Sequence, residues 1–243
     1  MMPEHTVSSF DAELKELGRK IVEMGGQAER LVADSVGALI RRDGTAAQRV
    51  VVMDAAIDHM QRDIEEKAVL VIAKRQPMAS DLRDIVATLR ISNDLERIGD
   101  LAKNVGKRVL AIEGEYHPQK LVRGVEHMTD LVLEQLKEVL DAYAGRDEAK
   151  ALEVWRKDAS VDTMYTSLFR ELLTYMMEDP RNISVCTHLL FCAKNIERIG
   201  DHATNVAETV YYMVTGNMLS DDRPKADASS ETTVTFPTRT LQG

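Results

Sequence analysis

The sequence predicts an all-α fold of two tandem three-helix bundles, six long helices in total, that arose by internal duplication. Three observations indicate this fold. The 243 residues include only 13 Gly, 6 Pro and 5% aromatic residues, a composition typical of long helices. Apolar residues recur at steps of three and four along nearly the whole chain. A segment near the end of the first half returns in the second half, so both halves are expected to share one fold.

The six predicted helices are separated by residues that stop helices. The first covers 7–42 and ends at Asp43-Gly44, and the second covers 44–74 and ends at the Gln76-Pro77 step. The third covers 79–112, and a break between Gly114 and Pro118 separates it from the fourth, 118–144, which ends at Gly145. The fifth covers 146–177 and ends at Asp179-Pro180, and the sixth covers 182–215. Buried stripes are clearest at Leu14, Leu17, Ile21, Met24, Ala28 and Leu31, and at Leu82, Ile85 and Leu89.

An internal repeat relates the two halves. The segment DLERIGDLAKNV at 94–105 returns as NIERIGDHATNV at 195–206, 101 residues later. Upstream, Asp54 and Asp58 match Asp158 and Asp162 at an offset of 104 residues. A duplicated three-helix unit accounts for both offsets if the turn between its second and third helices differs by three residues. The predicted units are 7–114 and 115–217, and the aperiodic, polar segment 218–243 is expected to be a disordered tail.

Charge and hydropathy exclude several classes of protein. A net charge of −9 argues against a general attraction to nucleic acid. The longest charge-free runs have 12 residues, whereas a membrane-spanning helix needs about 20. The first ten residues lack the pattern of a secretory signal, so a cytoplasmic location is expected. Cys186 and Cys192 have neither a metal-ligand nor a redox spacing and are expected to be buried free thiols.

Acidic side chains form the main candidate site. Each half has two pairs of acids four residues apart, and this spacing places both carboxylates of a pair on one helix face. Folding the helices into hairpins centred on Pro77 and on Asp179-Pro180 brings four carboxylates of each half to one level. Hard cations such as Mg, Mn, Ca or Fe would offset the repulsion between these carboxylates. The alternative is ion pairing with Arg62, Arg97, Arg156 or Arg198. The carboxylates are Asp54, Asp58, Glu96 and Asp100, and Asp158, Asp162, Glu197 and Asp201.

Neighbouring residues add accessory candidates. Asn104 and Asn205 lie one turn beyond Asp100 and Asp201 and could ligate or hydrogen-bond, or simply bridge helices. Arg97 and Arg198 follow the glutamates and favour structural salt bridges over anion binding. Gly99 and Gly200 each cost about 1 kcal/mol within a helix, which indicates close backbone approach or space beside ions.

The repeated Glu-Arg-Ile-Gly-Asp motifs, each followed by Asn-Val four residues on, resemble the PhoU family over about 7–215. The resemblance implies two three-helix bundles, a homodimer, and multinuclear metal clusters of Fe, Mn, Mg or similar ions on the eight carboxylates named above. It also implies an accessory protein of the phosphate ABC transporter that restrains phosphate uptake and signals phosphate sufficiency to the sensor kinase of the phosphate regulon. Asn195 replaces Asp94 and Lys194 replaces Asn93 in the second motif, so the two sites could be unequal.

The leading functional hypothesis is a regulatory adaptor without catalysis. The sequence has no Gly-rich phosphate loop and no nucleotide-binding fingerprint. The rival hypothesis is a carboxylate-bridged metal-dependent hydrolase on a helical bundle. A di-iron site of the ferritin type is disfavoured because no His has an acid three residues before it. A purely structural scaffold clamped by ions is the third possibility.

Overall fold

The computed structural model describes residues 4–115, 119–219, 223 and 225–232. These residues form seven α-helices, two short 3₁₀ turns at Pro180–Asn182 and Ser229–Glu231, and no β-strand. The helices are α1 (Glu4–Arg41), α2 (Gly44–Arg75), α3 (Ala79–Ala111), α4 (Gln119–Gly145), α5 (Glu148–Arg156), α6 (Asp158–Glu178) and α7 (Ile183–Thr215). The predicted all-α fold of two three-helix bundles is confirmed.

One predicted helix is interrupted. The helix expected over 146–177 is divided at Lys157 into α5 and α6. The Lys157 N–H donates to the Val154 carbonyl oxygen at 3.0 Å, and the Ser160 N–H donates to the Lys157 carbonyl oxygen at 3.1 Å. These bonds span three residues and not four, so the backbone tightens locally into a 3₁₀-like turn. Counted as one interrupted helix, α5 and α6 complete the six predicted helices.

The turn that opens the second helix is the same in both halves. Arg42 and Arg146 adopt left-handed conformations with φ of 54° and 50°. The Asp43 side chain then accepts a hydrogen bond from the Ala46 N–H, and the Asp147 side chain accepts one from the Lys150 N–H. Each aspartate caps a helix N-terminus that would otherwise have unsatisfied N–H groups. The internal repeat therefore extends to the local geometry of the turns.

The two bundles lie against each other. Helices α1, α2 and α3 pack together, as do α4, α5, α6 and α7, and contacts between α3 and α7 and between α1 and α4 join the two sets. The buried apolar residues form one continuous core. Cys186 and Cys192 lie within it as free thiols, as predicted. In the described part of the chain, no helix combines the length and apolarity that crossing a membrane requires.

Candidate functional site

Two hairpins, α2–α3 and α6–α7, hold the acidic residues that the sequence singles out. Their turns lie at 76–78 and 179–182, around the two predicted centres. Asp54 and Asp100 share Lys103, and Asp158 and Asp201 share Arg223, so carboxylates from both helices of each hairpin lie together. We call Asp54, Asp58, Glu96 and Asp100 the first acidic cluster, and Asp158, Asp162, Glu197 and Asp201 the second acidic cluster.

A lysine joins the two helices of the first acidic cluster. Lys103 Nζ donates to Asp54 Oδ2 at 2.6 Å and to Asp100 Oδ1 at 3.1 Å. Asp54 is only 1% exposed, so the carboxylate end of this ion pair is removed from water. Arg97 lies further out, 3.5 Å from both Glu96 and Asp100, and its side chain is 54% exposed. Of the two cations, Lys103 thus provides the closer compensation for buried charge.

The first acidic cluster is not fully neutralised. Burial raises the pKa of Asp54, against the opposing effect of its hydrogen bond from Lys103. Burial also raises the pKa of Glu96, and the charges of Asp100 and Asp58 raise it further. The hydrogen bond to Asp54 raises the pKa of Lys103. Asp54 Oδ1 and Asp58 Oδ1 are buried and accept no hydrogen bond, so the cluster retains capacity for a positive ligand.

The second acidic cluster is more deeply buried, and an arginine from the C-terminal segment enters it. Arg223 forms a bidentate pair with Asp158, with Nε 2.7 Å from Oδ2 and Nη2 2.9 Å from Oδ1. The same Nη2 donates to Asp201 Oδ1 at 2.8 Å. Lys225 Nζ donates to that oxygen at 2.7 Å. Two cations from outside the helices therefore compensate Asp158 and Asp201.

The other two members of the second acidic cluster also have partners. Asp162 Oδ2 accepts a hydrogen bond from the Ala226 N–H at 2.8 Å. Glu197 Oε1 accepts one from Lys194 Nζ at 2.9 Å. Burial raises the pKa of Glu197, although the hydrogen bond from Lys194 opposes this shift. Glu197 Oε2 is buried and accepts no hydrogen bond, so this cluster too retains an unsatisfied oxygen.

The accessory candidates have different positions. Asn205 Nδ2 donates to Asp94 Oδ1 at 3.3 Å, and Asn205 Oδ1 accepts from Arg223 Nη1 at 3.2 Å. Asn205 therefore connects α7 with α3 of the first repeat and with Arg223. Asn104 lines a groove of about 290 Å³ between α3 and α7. Arg97 forms the expected salt bridges, whereas Arg198 is exposed.

The two motif glycines differ in how closely they are packed. A Cβ at Gly99 would lie 3.0 Å from Asp54 Oδ1 and 3.0 Å from Ile57 Cδ1. A Cβ at Gly200 would meet its nearest neighbour, Gln135 Oε1, at an ordinary 3.4 Å. The first motif therefore needs glycine for close approach beside a carboxylate, whereas the second has room for a methyl group.

The cations that neutralise the clusters differ from those that the sequence suggests. Of the four arginines offered as partners, Arg97 alone is seen to pair with a cluster carboxylate in the part of the chain that the structure describes. Lys103, Lys194, Arg223 and Lys225 provide the other ion pairs. Lys103 stands three residues after Asp100, and Lys194 three before Glu197, so helical spacing could have indicated both. Nothing in the sequence predicts the contacts of Arg223.

The carboxylate oxygens are suitable ligands for a hard cation, but lysine and arginine side chains already bind several of them in this structure. Among residues 4–115, 119–219, 223 and 225–232, no group of three or more His, Cys, Asp or Glu side chains is arranged to hold a metal ion as it stands. Each cluster nevertheless offers only oxygen donors, and three buried oxygens lack a hydrogen-bond donor: Asp54 Oδ1, Asp58 Oδ1 and Glu197 Oε2. Oxygen donors of this kind fit Mg, Mn, Ca or Fe ions.

Comparison with known proteins identifies relatives over almost the whole chain. A family model described as the PhoU domain matches 21–109 and 125–210. A "Phosphate-specific transport system accessory protein PhoU homolog" of Rhizobium meliloti is 60% identical over 95% of this chain and 97% of the relative. A Caulobacter vibrioides protein with the same description is 53% identical over 95% and 100%. The crystal structure of PhoU from Pseudomonas aeruginosa aligns with a TM-score of 0.80 at 44% identity, covering 86% of this chain and 100% of that one.

Proposed function

Because this chain belongs to the PhoU family, we propose that it regulates phosphate uptake as an accessory protein of the phosphate-specific transport system. The observation that carries this proposal is the 60% identity to a PhoU homolog over 95% of the chain. Relatives that share both units in this way are described as accessory proteins of that transport system. We propose further that the regulation is negative and that the protein is cytoplasmic.

The proposed activity is binding and not catalysis. The polar groups gathered at the two clusters are carboxylates held by lysine, arginine and backbone N–H groups. Such an arrangement is suited to stabilising a binding surface or to holding a cation. The partners would be the cytoplasmic side of the phosphate ABC transporter and the sensor kinase of the phosphate regulon, and a homodimer would contact them. Association with the membrane would then be peripheral and would depend on those partners.

Deletion of the gene is expected to leave phosphate uptake unrestrained, or phosphate-starvation genes expressed, in phosphate-replete cells. Uptake of labelled phosphate and a starvation-gene reporter measure these effects, and re-expression of the full chain should reverse them. Capture of the transporter or the kinase from phosphate-replete cells would test the partners. If deletion changed neither measurement, and metal-loaded protein hydrolysed a phosphoester with turnover lost in Glu96→Gln, the rival hydrolase would be supported instead.

We also propose that each acidic cluster binds hard multivalent cations, with Fe, Mn and Mg as the leading ions. The unsatisfied oxygens of Asp54, Asp58 and Glu197 support this. In protein saturated with Mn²⁺ and then desalted, Glu197→Ala combined with Asp201→Ala is expected to remove about half of the bound metal, because one of two clusters loses its ligands. Elemental analysis measures the change.

A matched control replaces Glu65 and Glu66 with alanine, since both are exposed on α2 and the change in charge is the same. This control should retain the metal content of the unaltered protein. Equal metal content in both double variants would contradict the assignment of the second acidic cluster and would favour carboxylates that are satisfied by protein cations alone.

A further inference from the structure

The internal repeat shows that one cation is missing from the second helical hairpin. In the first acidic cluster Lys103, on α3, joins Asp54 and Asp100. The residue at the equivalent position of α7 is Thr204, which carries no charge and donates its hydroxyl to Asp158 Oδ1 at 3.0 Å. The second hairpin therefore keeps the acids of the first but lacks the lysine that joins them.

Arg223 occupies the place that this lysine would have. Its Nη2 donates to Asp158 and Asp201, which are the repeat counterparts of Asp54 and Asp100. Arg223 reaches this place from the C-terminal segment, beyond the end of α7 at Thr215. A cation that is fixed to a helix in the first half is thus carried by a separate segment in the second half.

The neighbours of Arg223 strengthen its attachment. We call Arg223 and residues 225–228 the C-terminal strap. The Ala226 N–H donates to Asp162 Oδ2, and the Ala228 N–H donates to Thr166 Oγ1 at 3.2 Å. Asp227 Oδ2 accepts a hydrogen bond at 3.1 Å from Lys194, which also binds Glu197. The strap consequently engages every carboxylate of the second acidic cluster, either directly or through Lys194.

We propose that the C-terminal strap is an internal ligand of the second acidic cluster and that a divalent cation and the strap exclude each other there. This inference rests on the proposed binding of cations. A hard cation needs carboxylate oxygens at about 2.0–2.6 Å, and Arg223 already covers both oxygens of Asp158. The Arg223 side chain is only 18% exposed, so it fills the space beside these oxygens. The unsatisfied oxygen of Glu197 remains as an entry point for the cation.

The two clusters would respond differently to a metal. Lys103 can swing aside on its flexible stem while α3 stays in place. A cation that takes Asp158, Asp162 and Asp201 as ligands displaces Arg223, the Ala226 N–H and Lys225 together, because these three groups bind the same carboxylates. Occupancy of the second acidic cluster is therefore coupled to detachment of the strap, whereas occupancy of the first acidic cluster is not.

The test compares the full-length chain with Arg223→Gln and, as a control of equal charge change, Arg30→Gln, which alters an exposed residue of α1. Binding of Mn²⁺ is followed by the electron paramagnetic resonance of the free ion, and the Glu197→Ala, Asp201→Ala double variant identifies the first acidic cluster. A strap that is closed in about nine molecules of ten lowers apparent affinity about tenfold. Arg223→Gln should therefore bind Mn²⁺ about tenfold more tightly at the second acidic cluster than Arg30→Gln.

Hydrogen exchange of a peptide covering the strap provides a second measurement that does not depend on affinity. In unaltered protein, exchange in this peptide should be about tenfold slower without metal than at saturating Mn²⁺, because a detached segment loses its hydrogen bonds. Equal Mn²⁺ affinity in both variants together with unchanged exchange would overturn the competition and leave cation binding standing. Failure of the unaltered protein to bind Mn²⁺ at either cluster would overturn cation binding and the competition with it.

Discussion

Replacement of Lys103 by methionine is expected to lower the free energy of unfolding of metal-free protein by about 3 kcal/mol. The change removes the partner of Asp54, which is buried and already has one oxygen without a hydrogen bond. It also removes the bridge between α2 and α3, because Lys103 joins Asp54 to Asp100. Urea unfolding in the presence of a chelator measures the loss.

Two further variants separate the effect of burial from the effect of charge. Arg97→Met removes the same charge from an exposed side chain that lies 3.5 Å from its partners, so it should cost less than about 1 kcal/mol. Asp54→Asn combined with Lys103→Met should recover part of the loss, since no unpaired buried carboxylate remains. If Lys103→Met and Arg97→Met were equally stable, the ion pair of Lys103 would not stabilise the fold.

The hairpins and their carboxylates could be predicted because local rules determine them. Pro77 and Pro180 cannot continue a helix, so they fix where each hairpin turns. Helical spacing then decides which residues share a face, and the repeat places acidic residues at equivalent positions of both hairpins. The two turns that cap α2 and α5 are equally local, since Asp43 and Asp147 satisfy N–H groups only three residues ahead.

Contacts between distant parts of the chain could not be predicted in this way. Arg223 meets Asp158 across 65 residues, and no periodicity connects an aperiodic segment to a helix face. The expectation of a disordered tail over 218–243 rests on composition, and composition does not show whether a residue pairs with a buried carboxylate elsewhere in the chain. The structure describes Arg223 and 225–232 in contact with the second hairpin; residues 220–222, 224 and 233–243 lie outside the described residues. At the break between α5 and α6, Lys157 pairs with Glu138 of α4, a contact between helices that the sequence pattern does not show.

Two apolar residues near the start of α3 differ in how far they are buried. Leu82 and Ile85 belong to one stripe in the sequence, yet Ile85 is 0% exposed and Leu82 is 38% exposed. Leu82 lies one turn after the start of α3 at Ala79, close to the level at which α2 ends at Arg75, so the stripe extends beyond the core at this end. Membership of one stripe therefore does not by itself decide which of the two side chains is covered.

Ile85→Ala is therefore expected to lower the free energy of unfolding by about 3 kcal/mol, because it removes buried methyl groups and leaves a cavity, whereas Leu82→Ala should cost less than about 1 kcal/mol. Urea unfolding of the two variants, at protein concentrations tenfold apart, measures both values. A concentration-independent loss of similar size for Leu82→Ala would contradict this and would show that Leu82 is as well covered as Ile85 in the folded protein. A loss for Leu82→Ala that grows with protein concentration would instead indicate that a second copy of the chain covers this end of the first hairpin, since association stabilises by mass action.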